Sequence, residues 1–350
     1  MERAAYRIID ANFNRAREAI RVIEDFCRFV LNCRPLAARA KQLRHDLSAL
    51  IAKLDPQKLI TSRDTLADVG TTTTVTGRLK RTDLTGALTA AARRLTEALR
   101  VLAETIQPID SDTAGCVEQI RYHVYTLEKD VKLFGSALEK FSRVRLYVII
   151  SSSLPAEVIS LAQRCAAAGA DCIQMRAKQL NDDTCFATAV EFVGICRDAG
   201  VLSVINDRPD IAIAAGADGV HLGQHDLPAD QVRKLQLAPL IIGKSTHSPA
   251  QLRTACEQLP TYVSLGPVFA TPTKPTAEPV GLDYVRYAVQ TLADTGIAHV
   301  AIGGITLDNV ADVLKAGAAA IAVCSAVTTA GDPASACRAF RKRIEPLRTP

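Results

Sequence analysis

The pattern of apolar and polar residues changes near Ser142. From Arg145 onward, short apolar runs rich in β-branched residues alternate with Ala-rich amphipathic segments. Apolar strands separated by helical segments are typical of a parallel sheet with crossover helices. The eight runs span residues 146–150, 171–176, 202–207, 219–223, 240–245, 262–268, 299–305 and 320–326.

Eight such units in roughly 200 residues predict a closed (β/α)8 barrel, the TIM-barrel architecture, at the small end of its size range. An open doubly wound sheet is the alternative. It usually has fewer strands, and no Gly-x-Gly-x-x-Gly follows the first apolar run.

Before Ser142 the periodicity is helical almost throughout. Ile20, Ile23 and Val30 recur at helical spacing, and the one strand candidate, residues 71–75, lies in a Thr-rich loop bounded by glycine. This pattern predicts an all-α N-terminal domain in front of the α/β barrel.

A short internal echo relates two helical segments. Glu-Ala-Ile-Arg-Val-Ile at 18–23 is matched by Glu-Ala-Leu-Arg-Val-Leu at 97–102. The echo indicates either two similar helices that pack as related halves of a bundle or a common helical string that recurs without duplication.

Composition agrees with two domains, which we place at 1–142 and 143–350. The chain has 350 residues, 48% of them hydrophobic and 23% charged, which is enough for two cores. The formal charge of +5 is small, and its basic excess lies before residue 145. Such a bias attracts nucleic acid or phosphorylated molecules weakly, or only solvates a surface.

Ten cysteines do not form the spacing of a disulfide or zinc framework. Cys165, Cys172, Cys196 and Cys324 lie in apolar runs, and no Cys-x-x-Cys occurs. The N-terminus has no signal-peptide core, and no apolar stretch reaches the ~18 residues of a membrane helix. We therefore expect a cytoplasmic protein without nucleic-acid or membrane partners. The oligomeric state stays open, a homo-oligomer included.

Polar residues are concentrated where the predicted strands end, which is the active-site edge of such barrels. Gln174, Arg176 and Lys178 alternate along the second strand and share one face. An amide and two cations at one place suit a diphosphate, whereas the alternative is a strand that runs out into a solvated loop.

Two carboxylates follow neighbouring strands. Asp207, next to Asn206, ends the third strand, and Asp226 follows the fourth. The pair can share a Mg²⁺ ion, which keeps several waters and bridges substrate phosphates. Each aspartate also lies two residues before a proline and can instead cap a helix. Neither interpretation excludes the other.

The fifth and sixth strands end in hydroxyl-rich sequence. Ser245 and His247 have no acidic partner in sequence and no Gly-x-Ser-x-Gly elbow, so we expect Ser245 to hydrogen-bond a substrate rather than to act as a nucleophile. His221, within the fourth strand, is expected to be a satisfied core residue. The Thr- and Lys-containing loop 269–276 is long enough for a phosphate-binding lid, or is an ordinary Pro-rich loop.

Strands seven and eight end in Gly303-Gly304 and Cys324-Ser325. Glycines let backbone N–H groups approach an anion, and the loops after these strands form the recurrent phosphate site of the barrel. The residues thus predict two anion sites, one with a metal and one built largely of backbone. Two phosphorylated substrates that meet there imply group transfer with diphosphate as the leaving group.

Six motifs in this order resemble the thiamine-phosphate synthase (thiamin phosphate pyrophosphorylase) family over about residues 145–345. They are Gln-Met-Arg-Ala-Lys (174–178), Ile-Asn-Asp (205–207), Gly-Val-His-Leu-Gly-Gln-x-Asp (219–226), Gly-x-Ser-x-His (243–247), Leu-Gly-Pro-Val-Phe-x-Thr-x-Thr-Lys (265–274) and Ile-Gly-Gly-Ile (302–305). Residues 12–25 resemble the helical domain fused to this synthase in some bacteria, and the resemblance leaves that domain's role open.

The resemblance implies a transferase of thiamine diphosphate biosynthesis. It would join 4-amino-2-methyl-5-(diphosphooxymethyl)pyrimidine to a thiazole phosphate, carboxylated or not, and release diphosphate and thiamine phosphate. The family is similar in using a dissociative mechanism, in which diphosphate leaves first, the aminopyrimidine stabilises the cation and the thiazole nitrogen attacks. Such chemistry depends on positioning and charge stabilisation.

The family's binding residues map onto three sets. The pyrimidine diphosphate would be held by Gln174, Met175, Arg176, Ala177, Lys178, Asn206, Ser245 and Lys274, among which Arg176, Ser245 and Lys274 would be catalytic. The thiazole phosphate would be held by Thr271, Pro272, Thr273, Gly304, Cys324 and Ser325. Mg²⁺ would be held by Asp207 and Asp226.

Two other functions fit parts of the sequence. A thiazole tautomerase shares the barrel and the thiazole-phosphate site but needs neither the carboxylate pair nor the diphosphate-binding cations, so their presence favours the synthase. A non-catalytic sensor of thiamine precursors would contact nucleic acid through the helical domain. Only the basic excess supports it, and no helix-turn-helix pattern is convincing.

Overall fold

The chain forms two compact units, Met1–Lys132 and Leu133–Pro350. The structure is a computed structural model, and it describes residues 1–70, 83–235, 238–273 and 276–345. The strand candidate at 71–75 lies outside these residues. Within the described ranges, no helix is both long enough and apolar enough to cross a membrane.

The described residues of the first unit are helical, which confirms the predicted all-α N-terminal region. Its elements are α1 (Glu2–Asp25), a π-helical turn (Phe26–Val30), α2 (Arg34–Ile51), α3 (Pro56–Thr61), α4 (Leu84–Ile106) and the beginning of α5 (Ser111–Phe141).

The two echo segments lie in α1 and α4, which pack against each other. Both helices bury the same three positions of the repeated string, namely Ala19, Ile20 and Ile23 in α1 and Ala98, Leu99 and Leu102 in α4. Val30 does not continue the apolar stripe of α1. It is exposed because the wider π-helical turn shifts the helical register before it.

The second unit is a closed barrel of eight parallel strands in sequential order, as predicted. Each predicted apolar run overlaps one strand. The strands are β1 (Leu146–Ser151), β2 (Cys172–Arg176), β3 (Leu202–Asn206), β4 (Gly219–Leu222), β5 (Ile241–Thr246), β6 (Tyr262–Leu265), β7 (Ala298–Ile302) and β8 (Ile321–Val323).

Helices follow the strands and cover the barrel. They are α6 (Pro155–Ala167), α7 (Asp182–Asp198), α8 (Pro209–Ala214), α9 (Ala229–Leu235), α10 (Pro249–Glu257), α11 (Gly281–Leu292), α12 (Val310–Lys315), α13 (Ser325–Thr328) and α14 (Pro333–Ile344). Alternating burial fixes which side chains of each strand face the interior.

The last turns of α5 belong to the barrel core. Ala137 and Phe141 join a buried cluster that includes Tyr147 and Tyr262, near the amino-terminal ends of β1 and β6. The rings of Phe141 and Tyr262 are stacked, with centroids 4.2 Å apart and planes within 6°. The barrel unit therefore begins at Leu133, ten residues before the boundary drawn from sequence.

Asp171 fixes the entry into β1. Its Oδ2 accepts hydrogen bonds from the N–H groups of Arg145 and Leu146, both at 2.9 Å. Its Oδ1 accepts one from Nη1 of Arg341 on α14 at 2.5 Å. One carboxylate thus ties the first strand to the last helix.

Candidate active site

A cavity of about 740 Å³ opens among the carboxyl-terminal ends of the strands. Most of the predicted site residues line it together: Gln174, Arg176, Lys178, Asn206, Asp207, Asp226, Ser245, Thr271, Pro272, Thr273, Gly304, Cys324 and Ser325. Residues that follow different strands in the sequence therefore lie together in one site.

Two of the described predicted residues, Met175 and Ala177, are not part of this lining. Met175 alternates with Gln174 along β2 and has a buried side chain that does not line the cavity. Ala177 likewise does not line it. Lys274 lies outside the described residues. A role for Met175 or Ala177 through backbone atoms stays a prediction.

The two predicted cations, one at the end of β2 and one just after it, lie on one side of the cavity, and each has a polar partner. Arg176 donates from Nη1 to the hydroxyl oxygen of Ser151 on β1 at 2.8 Å. Lys178 places its Nζ 2.7 Å from Oδ2 of Asp207. Both are positioned for an anion, since their charges stay at the cavity rim.

Asp207 adopts a left-handed backbone conformation with φ of 62°. For a residue other than glycine this geometry costs roughly 1–2 kcal/mol, although Asp and Asn tolerate it best. The Asp207 N–H donates to the carbonyl oxygen of His221 at 2.8 Å, which joins the end of β3 to β4. The strained turn directs the Asp207 carboxylate toward Lys178 and Asp226.

Asp207 and Asp226 lie within hydrogen-bond reach of each other. Burial and then the hydrogen bond with Asp207 raise the pKa of Asp226 above its ordinary value. Burial opposes ionisation of Asp207, but the hydrogen bonds with Lys178 and Asp226 hold the pKa of Asp207 below its ordinary value. Two adjacent carboxylates of this kind share a proton or a cation.

Asp207 does not act as the helix cap that its sequence context also allowed. The residue before α8 is Arg208, not Asp207, and it makes no side-chain cap. Asp226 accepts the N–H of Gly223 with Oδ2 at 2.6 Å, within the turn after β4. Asp207 is thus free of a cap role at α8, and Asp226 is held within the turn after β4.

The turn that carries Asp226 is fixed from β5. Lys244, which is 5% exposed, donates from Nζ to the carbonyl oxygen of Gly223 at 2.6 Å. Gln224 donates from Nε2 to the carbonyl oxygen of Ser245. Burial lowers the pKa of Lys244 while Asp226 opposes that shift. Our sequence reasoning missed this lysine, although a cation inside an apolar strand was a visible signal.

A continuous hydrogen-bonded chain crosses the barrel interior beneath the cavity. Gln174 Nε2 donates to the Tyr147 hydroxyl, which bonds the Tyr262 hydroxyl. The Tyr262 hydroxyl bonds Nδ1 of His221, and Nε2 of His221 bonds the Ser245 hydroxyl. Each of the four separations is 2.9 Å. We call these five residues the buried polar chain.

The side chains of the buried polar chain are almost entirely covered. Its members are 0–8% exposed, and Tyr262 is fully buried. Burial raises the pKa of both tyrosines well above the ordinary value, so both hydroxyls stay protonated. His221 has both ring nitrogens hydrogen-bonded, as expected, but its side chain also lines the cavity. The two tyrosines, which join Gln174 to Ser245, were not singled out from the sequence.

Gly243 provides the room that the ring of Tyr262 occupies. A Cβ at this position would lie 2.5 Å from Cε1 of Tyr262 and closer still to its Cζ and hydroxyl oxygen. Because carbon atoms normally pack about 3.5–4.0 Å apart, only glycine fits beside this ring.

The opposite side of the cavity is built from glycines and hydroxyls. Gly303 and Gly304 have φ of 101° and 62°, and a Cβ on Gly304 would lie 2.7 Å from Cβ of Phe269. Asn309 fixes the turn by donating from Nδ2 to the Gly304 carbonyl oxygen at 2.9 Å. Backbone N–H groups can therefore approach a bound anion next to Thr271, Thr273 and Ser325.

One buried donor of a cavity-lining residue has no partner among the described residues. Among the described residues, Nδ2 of Asn206 is fully covered and makes no hydrogen bond. A buried amide donor without a partner is costly, and a ligand that accepts its hydrogen bond removes that cost. Asn206 therefore supports ligand binding at the end of β3, where the sequence predicted it.

Comparisons with known proteins match both regions of the chain. Residues 146–327 match the family model described as thiamine monophosphate synthase, and residues 7–130 match the model described as the ThiD2 family. The thiamine-phosphate synthase of Synechocystis sp. is 39% identical over 95% of this chain and 94% of its own length. The thiamine-phosphate synthase of Gloeobacter violaceus is 36% identical over 98% of each chain.

A solved structure is similar to the barrel. The thiamine phosphate pyrophosphorylase from Pyrococcus furiosus superposes with a TM-score of 0.54 and 32% sequence identity. The match covers 60% of this chain and all of that chain.

Proposed function

The chain belongs to the thiamine monophosphate synthase family and is a transferase that forms thiamine phosphate, and we propose that it does so by Mg²⁺-dependent dissociative transfer. In this proposal the aminopyrimidine methyl group leaves its diphosphate and is captured by the nitrogen of a thiazole phosphate. Diphosphate is the second product.

The observation that carries the proposal is the two-sided cavity. Cations and carboxylates of β2 to β4 lie on one side, and glycines and hydroxyls after β6 to β8 lie on the other. A diphosphate suits the first side because bidentate and charge-assisted bonds hold it. A phosphate monoester suits the second side, where backbone N–H groups can surround it.

The carboxylate pair supports a Mg²⁺ site. Asp207 and Asp226 are close enough for one to raise the pKa of the other, and a divalent cation would relieve that repulsion. The described part of the chain has no cluster of three or more acidic, imidazole or thiol groups. The protein would thus supply two ligands, and water and diphosphate oxygens the rest, which is usual for Mg²⁺. Such an ion would neutralise charge on the departing diphosphate.

The remaining side chains would position and stabilise rather than transfer protons. Arg176, Lys178 and Asn206 would bind the diphosphate, and Ser245 would bind the pyrimidine. Lys274, predicted on the same diphosphate, stays a prediction. Gly304 and the hydroxyls of the loop after β6 would bind the thiazole phosphate. Two reactants held in one enclosed cavity convert a bimolecular step into a unimolecular one.

The metal site is tested with variants at position 207. Asp207→Asn keeps the side-chain shape and tolerates the left-handed backbone, so it removes only the charge. We expect it to weaken Mn²⁺ binding, measured by electron paramagnetic resonance, and to lower diphosphate release, with unchanged circular dichroism. Asp210→Asn, which removes an exposed partner of Arg208, is the matched control. Full activity in EDTA would contradict the metal site.

The two-sided assignment is tested by comparing substrate requirements. Arg176→Ala should raise the KM for the pyrimidine diphosphate far more than that for the thiazole phosphate. Gly304→Ala, which forces Cβ against Phe269, should have the opposite selectivity. Equal effects of either variant on both substrates would refute the assignment.

The cytoplasm is the compartment that we propose for this reaction. All ten cysteines are free thiols, as expected in a reducing environment. Seven of them are buried, so they act as small apolar side chains rather than as redox groups.

A further inference from the structure

We propose that the buried polar chain has a fixed direction, which makes Ser245 a hydrogen-bond donor and Gln174 an acceptor toward the cavity. This polarity selects an aminopyrimidine over the corresponding oxopyrimidine. The inference rests on the proposed pyrimidine substrate, and it assigns Tyr262 as a positioning residue that acts through His221.

The direction follows from counting protons along the chain. The Gln174 amide donates to the Tyr147 hydroxyl oxygen, which leaves the Tyr147 proton for the Tyr262 oxygen. The Tyr262 proton then goes to Nδ1 of His221. A neutral imidazole that accepts at Nδ1 carries its proton on Nε2 and donates it to Ser245. The Ser245 proton is thereby left for the cavity.

Both ends of the chain reach the cavity wall. Gln174, His221 and Ser245 line the cavity, whereas Tyr147 and Tyr262 do not. Both ring nitrogens of His221 are hydrogen-bonded within the chain. Because Nε2 of Gln174 is committed to Tyr147, Oε1 is the polar atom that Gln174 retains for a ligand. The cavity therefore offers a ligand one acceptor and one hydroxyl donor, and the hydrogen bonds of the buried polar chain determine which group donates and which accepts.

Local packing prevents the chain from reorganising freely. Tyr262 is wedged between Phe141, stacked at 4.2 Å, and Gly243, which leaves no space for a methyl group. The five side chains are 0–8% exposed, so reversal of one bond would leave a covered group unpaired. Reversal would need the Gln174 amide to turn over as well.

This polarity discriminates between two pyrimidine types. A 4-aminopyrimidine has an amino donor beside a ring nitrogen that accepts. In the 4-oxo analogue the pattern is inverted, since the carbonyl accepts and the neighbouring ring N–H donates. A site whose donor and acceptor are fixed rejects the inverted pattern strongly, because its buried groups would then lack partners.

The first test reads the direction of the chain without any substrate. Protein labelled with ¹⁵N-histidine is examined by NMR at pH 8, where an imidazole is ordinarily neutral. His221 is one of six histidines and is assigned by comparison with His221→Gln. We expect a protonated Nε2 and an unprotonated Nδ1. A protonated Nδ1 in the wild type would overturn the proposal.

The second test measures selectivity by calorimetric binding of the amino and oxo pyrimidine diphosphates without thiazole phosphate. Tyr262→Phe should reduce the ratio of the two Kd values at least about tenfold and yield a mixed His221 tautomer. Tyr284→Phe removes another buried tyrosine hydroxyl, which donates to the Ser248 carbonyl oxygen at 3.2 Å, and should leave both readings unchanged.

The outcomes separate this inference from the proposed function. An unchanged Kd ratio and tautomer in folded Tyr262→Phe would overturn the role of the chain. Wild-type protein that binds neither pyrimidine diphosphate would overturn the proposed substrate instead, while the tautomer of His221 would still decide the direction of the chain.

Discussion

Adding one methyl group at Gly243 should destabilise the barrel strongly. In Gly243→Ala the new Cβ would lie 2.5 Å from Cε1 of Tyr262, more than ~1 Å inside normal carbon contact. The ring cannot retreat easily, because Phe141 is stacked on it and its hydroxyl is held by two hydrogen bonds of 2.9 Å. The backbone of β5 must therefore shift, or the ring must leave its place.

The size of the effect follows from these contacts. Overpacking a well-filled core typically costs 1–3 kcal/mol, and each buried hydrogen bond that is lost adds about 1 kcal/mol. Displacing Tyr262 breaks two such bonds, which brings the total to about 4 kcal/mol. For a unit of this size that corresponds to a decrease in Tm of about 10 °C.

The assay is thermal unfolding followed by circular dichroism, with a matched control. Gly194→Ala adds a methyl group inside α7 where no atom lies within 4 Å, so it should be neutral or stabilise by up to about 1 kcal/mol. In a Tyr262→Leu background the cost of Gly243→Ala should shrink, because the clashing ring is absent. An equal cost in both backgrounds would refute the reasoning.

Three further predictions concern other parts of the chain. The raised pKa of Asp226 means that its ionised form opposes folding, so Asp226→Asn should raise the Tm of chelator-treated protein at pH 7. The wild type should gain stability as the pH falls through that pKa, and the variant should gain less. An unchanged pH profile of stability would contradict this. Alkylation between pH 7 and 9, read by peptide mass spectrometry, should label exposed Cys116 and spare Cys27 and Cys196. The reason is that burial raises the pKa of Cys27 and of Cys196 to about 12. Labelling of all three thiols at similar rates would be inconsistent with this burial. Asp171→Ala should cost about 3 kcal/mol in urea unfolding, because three donors lose a charged acceptor, and Asp171→Asn should recover part of the loss.

The features that sequence predicted well depend on local periodicity. The bounds of each of the eight strands lie within a few residues of the bounds of its predicted apolar run. A buried parallel strand is apolar on both faces, so its sequence is a nearly continuous apolar run that is easy to recognise. The meeting of Asp207 with Asp226 was also foreseeable, since neighbouring parallel strands deliver their carboxyl ends to the same edge.

The features that sequence did not predict depend on residues far apart in the chain. Tyr147 and Tyr262 are 115 residues apart, and only closure of the barrel brings their hydroxyls together. Helix capping by Asp207 was a reasonable alternative, yet the left-handed turn places the carboxylate beside Lys178 instead. Phe141 belongs to a helical periodicity, so its place in the barrel core could not be recognised locally.

The position of Phe141 also bears on how genes for such barrels can be recombined. A crossover at the first strand, near residue 143, would deliver a barrel whose Tyr262 has lost its stacking partner and whose core lacks Ala137. A crossover before Leu133 would carry the closing turns of α5 along with the barrel. The portable genetic module is therefore defined by an aromatic side chain in the preceding helix and not by the first β-strand.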